Sequence, residues 1–389
     1  MTVRTGLEIL IDDPRPIAGK RIGLVTNHAA VTSDLRHAVR LLNANRGWTL
    51  AALFGPEHGL WGDAQDMAHV EHATDAETGL VVHSLYGATE KDLEPRPEAL
   101  DGLDALVIDL PDIGSRYYTF VYTMALCMRA AATRGIEVVV LDRPNPIGGV
   151  QLEGNIREEQ YSSFVGMYPL PVRHAMTAGE LARWFQRVDG IDCKLTVVAM
   201  EGWRRSMWFD ETNLFWILPS PNMPTVQTAK VYPGMCLVEG TNLSEGRGTT
   251  HPFELFGAPW LDAFRLADRL NALELPGARF RPHYFKPTFQ KHAGEVCGGV
   301  ELHVTNRATF EPFRTGLWCV KVARDMNPER FDWRRETYEY VSDRLAIDLL
   351  AGSACYRELV ESGGDVDPWV RSWDTRDFAR SRADALLYG

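Results

Sequence analysis

The sequence of 389 residues lacks the features that mark secreted, membrane-spanning and disulfide-bonded proteins. Its six cysteines form no C-x-x-C pair and most lie in apolar segments, which favours free thiols in a reducing compartment, although an even number leaves bridges open. No stretch approaches the ~20 consecutive apolar residues of a membrane span. The N-terminal segment has no signal-peptide apolar region; it reads MTVRTGLEILIDD. We therefore expect a cytoplasmic protein that does not bind a membrane.

The sequence is also poor in positive charge. It has 41 lysines and arginines against 52 aspartates and glutamates, which gives a formal net charge of −11. Nucleic-acid binding draws on clustered cations that release counterions from the phosphates, and this chain has no basic stripe. We therefore expect no nucleic-acid partner, and the sequence gives no indication of an oligomeric state.

Several catalytic and cofactor motifs are absent. No G-x-G-x-x-G follows the first predicted strand, which argues against a dinucleotide cofactor. The G-x-S-x-G motif of serine hydrolases is also absent, which argues against that class. The segment GTNLSEGRGT has the wrong glycine spacing for a phosphate loop, and Arg replaces the required Lys. The histidines show no H-E-x-x-H spacing, so a metal site would have to come from distant loops. We expect neither a cofactor nor a metal.

The first half of the chain alternates short apolar runs with helix-like segments. This alternation, with continuous Val, Ile and Leu runs, is typical of βαβ units around a parallel sheet. The predicted strands are 21–26, 50–54, 105–110, 137–141 and 195–200, and the predicted helices are 33–43, 122–134, 177–187 and 261–273. Ser33 and Thr177 are predicted N-caps, and Glu180 completes a capping box with Thr177. Segments 299–304 and 316–322 are predicted to be further strands.

The length predicts about two domains, because one core rarely keeps growing at this size. We place the boundary near residue 255. Residues 1–255 then form a Rossmann-like α/β domain with most of the catalytic motifs, and residues 256–389 form a smaller α+β domain that closes the cleft.

Polar clusters follow the predicted strands, where the carboxyl ends of a parallel sheet collect ligand-binding groups. The segment LFGPEHGLWG places Glu57 and His58 on a tight loop after a buried strand, a candidate pair for proton transfer. Each cluster alone is explained equally well by ion pairs and caps, but several at one sheet edge predict a shared cleft. The others are Thr26 to His28; Asp109, Asp112 and Arg116 to Thr119; Asp142, Arg143, Asn145 and Glu153; and Arg173 with His174.

A long stretch rich in proline, glycine and aromatic residues, 203–260, is more typical of a functional segment than of an idle loop. We predict that the part of this stretch from Ser220 to Trp260 closes over the sheet edge, so that Glu57 shares one pocket with at least one of Asn222, Glu239 and Arg247. Trp216, Tyr232 and Trp260 are its candidate sugar-stacking aromatics, with Trp61 and Tyr118 from the first half. Ordinary core packing explains each tryptophan equally well.

Taken together, ordered segments of this chain resemble the exo-β-N-acetylmuramidases of the NamZ type, a former domain-of-unknown-function family. The strings that carry the resemblance span residues 23–260, and a later segment extends it. They are GLVTNHAAV, LFGPEHGLWGD, SLYG, DLPDIGSRYYTFVYTM, VVLDRPNPIGG with LEG, FVGMYPLPVRHAMTAGELA, PSPNMPT, YPGMCLVEGTNLSEGRGTTHPFELFGAPW and KHAGEVCGGVELHV. The resemblance implies a Rossmann-like domain joined to a smaller domain, with the active site between them. It also implies release of terminal N-acetylmuramic acid (MurNAc) from the non-reducing end of peptidoglycan fragments, without metal or nucleotide.

The resemblance also implies site residues. Glu57 of the PEHG segment is the catalytic candidate, and Glu153 of the LEG segment is the candidate for a second glutamate. His58 and Arg116 would orient Glu57, and Tyr118 and Asn222 would contact the sugar. The remaining predicted substrate-binding residues are Asn27, Asp142, Arg143, His174, Glu239, Glu245 and Arg247. The lactyl carboxylate of MurNAc calls for a local guanidinium, and the candidates are Arg116, Arg143, Arg173 and Arg247.

Two other classes of function stay open at this point. One is a carbohydrate-binding or peptidoglycan-fragment-binding protein that keeps the cleft without catalysis. The other is a metal-dependent amidohydrolase that uses His28, His58 and His174. Within the glycosidase hypothesis, the sequence leaves open whether water or the 2-acetamido group of the substrate attacks the anomeric carbon.

Overall fold

A seven-stranded sheet dominates the computed structural model, which describes residues 2–44, 47–65 and 67–389. Its strands are β1 (Arg21–Thr26), β2 (Thr49–Gly55), β3 (Ala73–Thr74), β4 (Val81–Ser84), β5 (Ala105–Asp109), β6 (Glu137–Leu141) and β7 (Leu195–Val198). Their order is β3-β4-β2-β1-β5-β6-β7, and every pairing is parallel except that of β3 with β4. The predicted α/β, Rossmann-like fold is confirmed.

The sheet changes direction at β1. The chain runs outward from β1 through β2 to β4, returns to β5 on the other side of β1, and continues to β6 and β7. Strands β5 and β6 are almost entirely buried because helices cover both faces, which explains their unbroken apolar runs. Such a reversal opens a crevice at the carboxyl ends of the strands, so the loops after β1, β2 and β5 converge there.

A smaller second domain contains an antiparallel sheet of three strands. They are β8 (Leu255–Ala258), β9 (Ala278–Phe285) and β10 (Cys297–Val304), in the order β8-β10-β9. Glycine is required where β10 meets β8, because a Cβ on Gly299 would lie 2.1 Å from the Phe256 carbonyl oxygen. The division near residue 255 stays a prediction.

Eleven α-helices lie in the described part of the chain. They are α1 (Gly6–Asp12), α2 (Ala38–Asn43), α3 (Phe120–Thr133), α4 (Ala178–Val188), α5 (Val226–Met235), α6 (Ala263–Asn271), α7 (Pro312–Met326), α8 (Ala346–Ala351), α9 (Cys355–Glu361), α10 (Asp367–Ser372) and α11 (Arg376–Arg382). Short 3₁₀ turns occur at Glu90–Leu93, Pro97–Leu100, Glu159–Tyr161, Phe209–Glu211, Cys236–Gly240 and Ala383–Ala385. None of the helices described is long and apolar enough to cross a membrane.

Two predicted elements differ from the structure. The helix expected from Ser33 begins at Ala38, because the ring nitrogen Nδ1 of His37 accepts the Val39 N–H at 3.2 Å and caps it. Segment 316–322, predicted as a strand, lies within α7. Its buried Leu317 and Val320 continue from Phe313 with helical spacing, so the apolar run has the helical period.

Candidate active site

Glu57 lies on the loop that follows β2. The next two residues, His58 and Gly59, both have left-handed backbones (φ 70° and 80°), which turn the chain back sharply. Gly55 is required at the start of this turn, because a Cβ there would lie 2.7 Å from the backbone nitrogen of Leu60. The turn holds Glu57 at the carboxyl edge of the sheet with only 6% of its surface exposed.

Thr119, at the N-cap of α3, fixes the Glu57 carboxylate. Its hydroxyl donates to Glu57 Oε2 at 2.7 Å instead of capping its own helix. The carboxylate therefore lies beside the N-terminus of a 14-residue helix, where the helix dipole favours a negative charge.

A cavity of about 550 Å³ opens in front of Glu57. Its polar lining comes from both halves of the chain and includes three carboxylates, those of Glu57, Glu239 and Glu339. The other polar lining residues are His58, Tyr117, Tyr118, Thr119, Ser220, Asn222, Tyr232, Arg247 and Tyr338. Glu57 therefore shares one pocket with residues of the segment from Ser220 to Trp260, as predicted.

Glu239 is held from two sides. Its Oε1 accepts a hydrogen bond from Arg247 Nη1 at 2.8 Å, and its Oε2 accepts one from the Tyr338 hydroxyl at 2.7 Å. Arg247 Nη1 also donates to Glu245 Oε1 at 3.1 Å, and Glu245 Oε2 accepts from Lys291 at 3.0 Å. Burial opposes ionisation of Glu245, yet Lys291 and Arg247 lower its pKa to about 2. Glu245 thus lies behind the cavity as a permanent anion that positions Arg247.

Glu339 comes from the segment before α8. Its Oε2 accepts a hydrogen bond from the Tyr86 hydroxyl at 3.0 Å, and only 6% of its surface is exposed. Burial raises the pKa of Tyr86 strongly, and the charges of Glu57 and Glu339 add to the effect. Both carboxylates therefore lie near one phenol, which stays protonated and can donate a hydrogen bond.

Sequence reasoning did not identify Glu339 or Tyr338 as site residues. Neither follows a strand of the sheet; both lie in the irregular segment between α7 and α8. The alternation of tyrosines with a glutamate in TYEYV is unusual, but it predicts no particular site.

Aromatic rings form much of the apolar wall of the cavity. Tyr118, Tyr232 and Phe253 line it, and the Arg247 guanidinium lies 4.9 Å from the centre of the Phe253 ring. Burial raises the pKa of Tyr118, so its hydroxyl remains a hydrogen-bond donor. Trp216 lies in a different cavity, and Trp61 and Trp260 are not among the described lining residues of this one.

Three of the predicted arginines lie outside the cavity lining described. Arg116 is fully buried and donates to the carbonyl oxygens of Asn155, Leu170 and Leu350 at 2.8–2.9 Å. Arg143 pairs with both carboxylate oxygens of Asp109 at 2.5 and 2.8 Å. Arg173 donates to the Gln151 side chain and the Ile147 carbonyl. Each guanidinium joins loops behind the site and spends most of its donors within the protein, although the Nε atoms of Arg116 and Arg173 have no hydrogen-bond partner among the described residues.

Asn27, Asp142 and His174 also serve the framework. Asn27 Nδ2 donates to the carbonyl of Pro219 at 2.9 Å and so holds the loop that carries Ser220. Burial raises the pKa of Asp142 to about 6, although its carboxylate accepts hydrogen bonds from Thr177, Gly179 and Tyr388. His174 Nδ1 accepts the Met176 N–H, which leaves the proton on Nε2, 3.3 Å from Asp112 Oδ2.

Glu153, the predicted second catalytic glutamate, lies at the N-terminus of α7. Its Oε1 accepts the Arg314 N–H at 3.0 Å, and desolvation raises its pKa to about 7. It is absent from the described lining of the Glu57 cavity, because the chain turns away after β6 and joins this segment to the second domain.

A second cavity, of about 540 Å³, lies on the other side of the Pro219–Ser220 segment. Arg143 and Asp112 line it together with Phe209, Phe215 and Trp216. Its arginine is already paired with Asp109 and its walls are mainly apolar, so the Glu57 cavity, with three carboxylates, is the better candidate for acid/base chemistry. Across the described residues, no group of three or more His, Cys, Asp or Glu side chains could hold a metal ion.

Comparisons with known proteins cover the whole chain. Residues 22–227 match the N-terminal family model of the exo-β-N-acetylmuramidase NamZ, and residues 230–388 match its C-terminal model. The chain is 48% identical to the peptidoglycan β-N-acetylmuramidase NamZ of Bacillus subtilis (strain 168), over 99% of this chain and 91% of that protein.

Two crystal structures of DUF1343 family proteins from Bacteroides fragilis NCTC 9343 have similar folds. One has a TM-score of 0.89 at 36% identity, and the other a TM-score of 0.76 at 26% identity. Each comparison covers 100% of this chain and 99% of the other.

Proposed function

Because the chain belongs to the NamZ family of exo-β-N-acetylmuramidases, we propose that it uses Glu57 as the acid/base that releases terminal MurNAc from peptidoglycan fragments. It is a glycoside hydrolase that acts from the non-reducing end of these glycans. The observation that carries the assignment of Glu57 is the cavity itself. A carboxylate fixed by Thr119 lies there with two further carboxylates at the carboxyl edge of the sheet.

Glu57 protonates the glycosidic oxygen as the bond to the anomeric carbon breaks. Thr119 occupies Oε2, so Oε1 is the atom we assign to the leaving oxygen. The rigid turn around Glu57 holds the carboxyl group in one orientation, which a positioned proton donor requires. If the 2-acetamido group attacks first, the deprotonated Glu57 carboxylate then takes a proton from the water that completes hydrolysis; if water attacks directly, that proton goes to the base on the opposite face of the sugar.

Glu339 serves the opposite face of the sugar in this proposal. It either activates the attacking water or orients the 2-acetamido group of the substrate, whose oxygen then attacks the anomeric carbon. Tyr86 fixes the Glu339 carboxylate in both cases. Glu239, tied to Arg247 and Tyr338, holds sugar hydroxyls, and Tyr118, Tyr232 and Phe253 cover the apolar face of the ring.

A chromogenic MurNAc glycoside tests the proposal directly. Purified protein is expected to release the chromophore with and without chelator, and Glu57→Gln is expected to lose about 10²–10⁴-fold in kcat while its unfolding midpoint stays the same. Binding of the glycoside without turnover would favour a non-catalytic carbohydrate-binding protein. Turnover that chelator abolishes would favour the metal-dependent amidohydrolase. Near-normal turnover by Glu57→Gln would remove Glu57 from its role.

We also propose a cytoplasmic location, in which imported fragments are the substrate. All six cysteines are free thiols, and five of them are at least partly buried, as expected in a reducing compartment. Cell fractionation followed by immunoblotting tests the location, and recovery of the protein outside the cell membrane would contradict it.

A further inference from the structure

The substrate carries a negative charge that the cavity must accommodate. MurNAc differs from N-acetylglucosamine (GlcNAc) by a lactyl ether with a carboxylate, and three carboxylates already line the cavity. Such a site repels the lactyl group unless a cation faces it. Arg247, the arginine in the described lining, is engaged by Glu239 and Glu245. A different cation is therefore needed for the lactyl carboxylate.

Arg334 packs against residues that line the cavity. Its Cζ is 5.1 Å from the centre of the Tyr338 ring, and its Nη2 is 3.4 Å from Met67 Sδ. Tyr338 and Met67 both line the cavity. The Arg334 backbone N–H donates to the Gly240 carbonyl at 2.9 Å, which ties it to the residue after Glu239. The guanidinium is thus held against two residues of the cavity wall.

The charge of Arg334 is only weakly balanced by the described residues. The carboxylate recorded nearest to it, Glu336 Oε2, lies 3.9 Å from Nε, beyond hydrogen-bond distance, and the Glu336 side chain is 80% exposed. A contact of this kind contributes little and is easily exchanged for a better partner. Arg334 also borders an open depression of about 1020 Å³, so a group that projects from a bound sugar has room beside it.

We propose that Arg334 binds the lactyl carboxylate of the terminal MurNAc and sets the preference of the enzyme for MurNAc over GlcNAc. The inference rests on the proposed function. A guanidinium stacked on Tyr338 presents a planar pair of N–H donors, which matches a carboxylate bidentately. Because the Tyr338 hydroxyl also donates to Glu239, the same side chain connects Arg334 to the catalytic cavity.

The test compares kcat/KM for chromogenic MurNAc and GlcNAc glycosides in wild type and Arg334→Met. A charge-assisted pair of this kind predicts a loss of about 10- to 100-fold on the MurNAc glycoside and little change on the GlcNAc glycoside. The kcat/KM of Arg334→Lys on the MurNAc glycoside is expected to lie between those of wild type and Arg334→Met. The lysine ammonium keeps the positive charge but cannot bind the carboxylate with two parallel N–H donors. Arg335→Met is the matched control: Arg335 is the next residue, borders the same depression and pairs with Asp332.

A MurNAc glycoside whose lactyl carboxyl is a neutral amide gives a test in the unmodified enzyme. Wild type is expected to cleave it about as poorly as it cleaves the GlcNAc glycoside. An unchanged MurNAc/GlcNAc ratio in Arg334→Met, or full activity of wild type on the amide, would overturn the proposal. If wild type cleaves no MurNAc glycoside, the proposed function fails separately. Calorimetric binding of free MurNAc and GlcNAc to wild type and Arg334→Met then tests the role of Arg334 in binding the lactyl carboxylate, independently of turnover.

Discussion

Glu339 and Tyr340 adopt left-handed backbones in succession, with φ of 45° and 69°. Residues with a Cβ rarely do so, and each such conformation costs on the order of 1–3 kcal/mol unless the surrounding structure enforces it. Here the hydrogen bonds of Tyr86 to Glu339 and of Tyr340 to the Gly87 carbonyl hold the pair in place. A strained pair that places a carboxylate in the same cavity as Glu57 is typical of a functional site.

Glu339→Gln is therefore expected to lower kcat on a MurNAc glycoside by at least about 100-fold. The substitution keeps the shape and the hydrogen bond from Tyr86, and it removes the negative charge that the opposite face of the sugar requires. The measurement is steady-state turnover, with the unfolding midpoint as the check on folding. Asp343→Asn is the control, because its side chain lies four residues away and is 76% exposed. Equal rates for Glu339→Gln and wild type would restrict Glu339 to a structural role.

Strand ends made part of the site predictable from sequence. Glu57, His58 and Tyr118 follow β2 and β5, and the rule that ligands bind at the carboxyl ends of parallel strands located them correctly at one cavity. The same rule does not distinguish a side chain that faces the cavity from one that bonds to carbonyls beneath it. Arg116 and Arg143 follow strands too, but both donate to carbonyl or carboxylate oxygens of the framework.

At the scale of single elements, local capping chemistry predicted one of two helix starts correctly. Helix α4 begins with the predicted capping box: the Glu180 N–H donates to Thr177 Oγ1, and Glu180 Oε2 accepts the Thr177 N–H. By contrast, the N-cap of α2 is a histidine, and α5 contains an internal proline, Pro233. Sequence rules disfavour both arrangements, so tertiary packing decides these two elements.

Thr177→Ala is expected to lower the free energy of unfolding by about 1–2 kcal/mol. The substitution removes the cap of α4 and also the hydrogen bond of 2.7 Å that the Thr177 hydroxyl donates to Asp142. Denaturant unfolding measures the change. Thr177→Ser keeps both bonds and serves as the control. Turnover is expected to change little, because α4 lies outside the cavity, and a large loss of kcat in a folded variant would contradict this separation.

At the scale of the whole molecule, one buried carboxyl group links the two domains and makes stability depend on pH. Glu153 belongs to the segment after β6, and it accepts the Arg314 N–H at the start of α7 in the C-terminal part of the chain. Desolvation raises its pKa from the usual 4.5 to about 7. The hydrogen bond from the Arg314 N–H and the charge of Arg173 lower this pKa, but by less. The folded state therefore binds the Glu153 proton more tightly than the unfolded state does.

The sign of the effect follows from this raised pKa. Below about pH 4.5 the group is protonated in both states and its contribution to stability is fully present; as pH rises towards 7 that contribution is lost. Half-buried His28 and His37 have pKa values lowered by desolvation and act in the opposite direction, so the slope for the wild type alone is not diagnostic. The difference between Glu153→Gln and wild type isolates the single group, because the histidines are common to both. We expect the variant to gain about 3 kcal/mol relative to wild type as pH rises from below 4.5 to above 7, and nothing further at higher pH. Denaturant unfolding at closely spaced pH values measures this difference. A difference that stays constant with pH would mean that Glu153 ionises equally easily in the folded and unfolded chains, and that the contact between the domains carries no proton linkage.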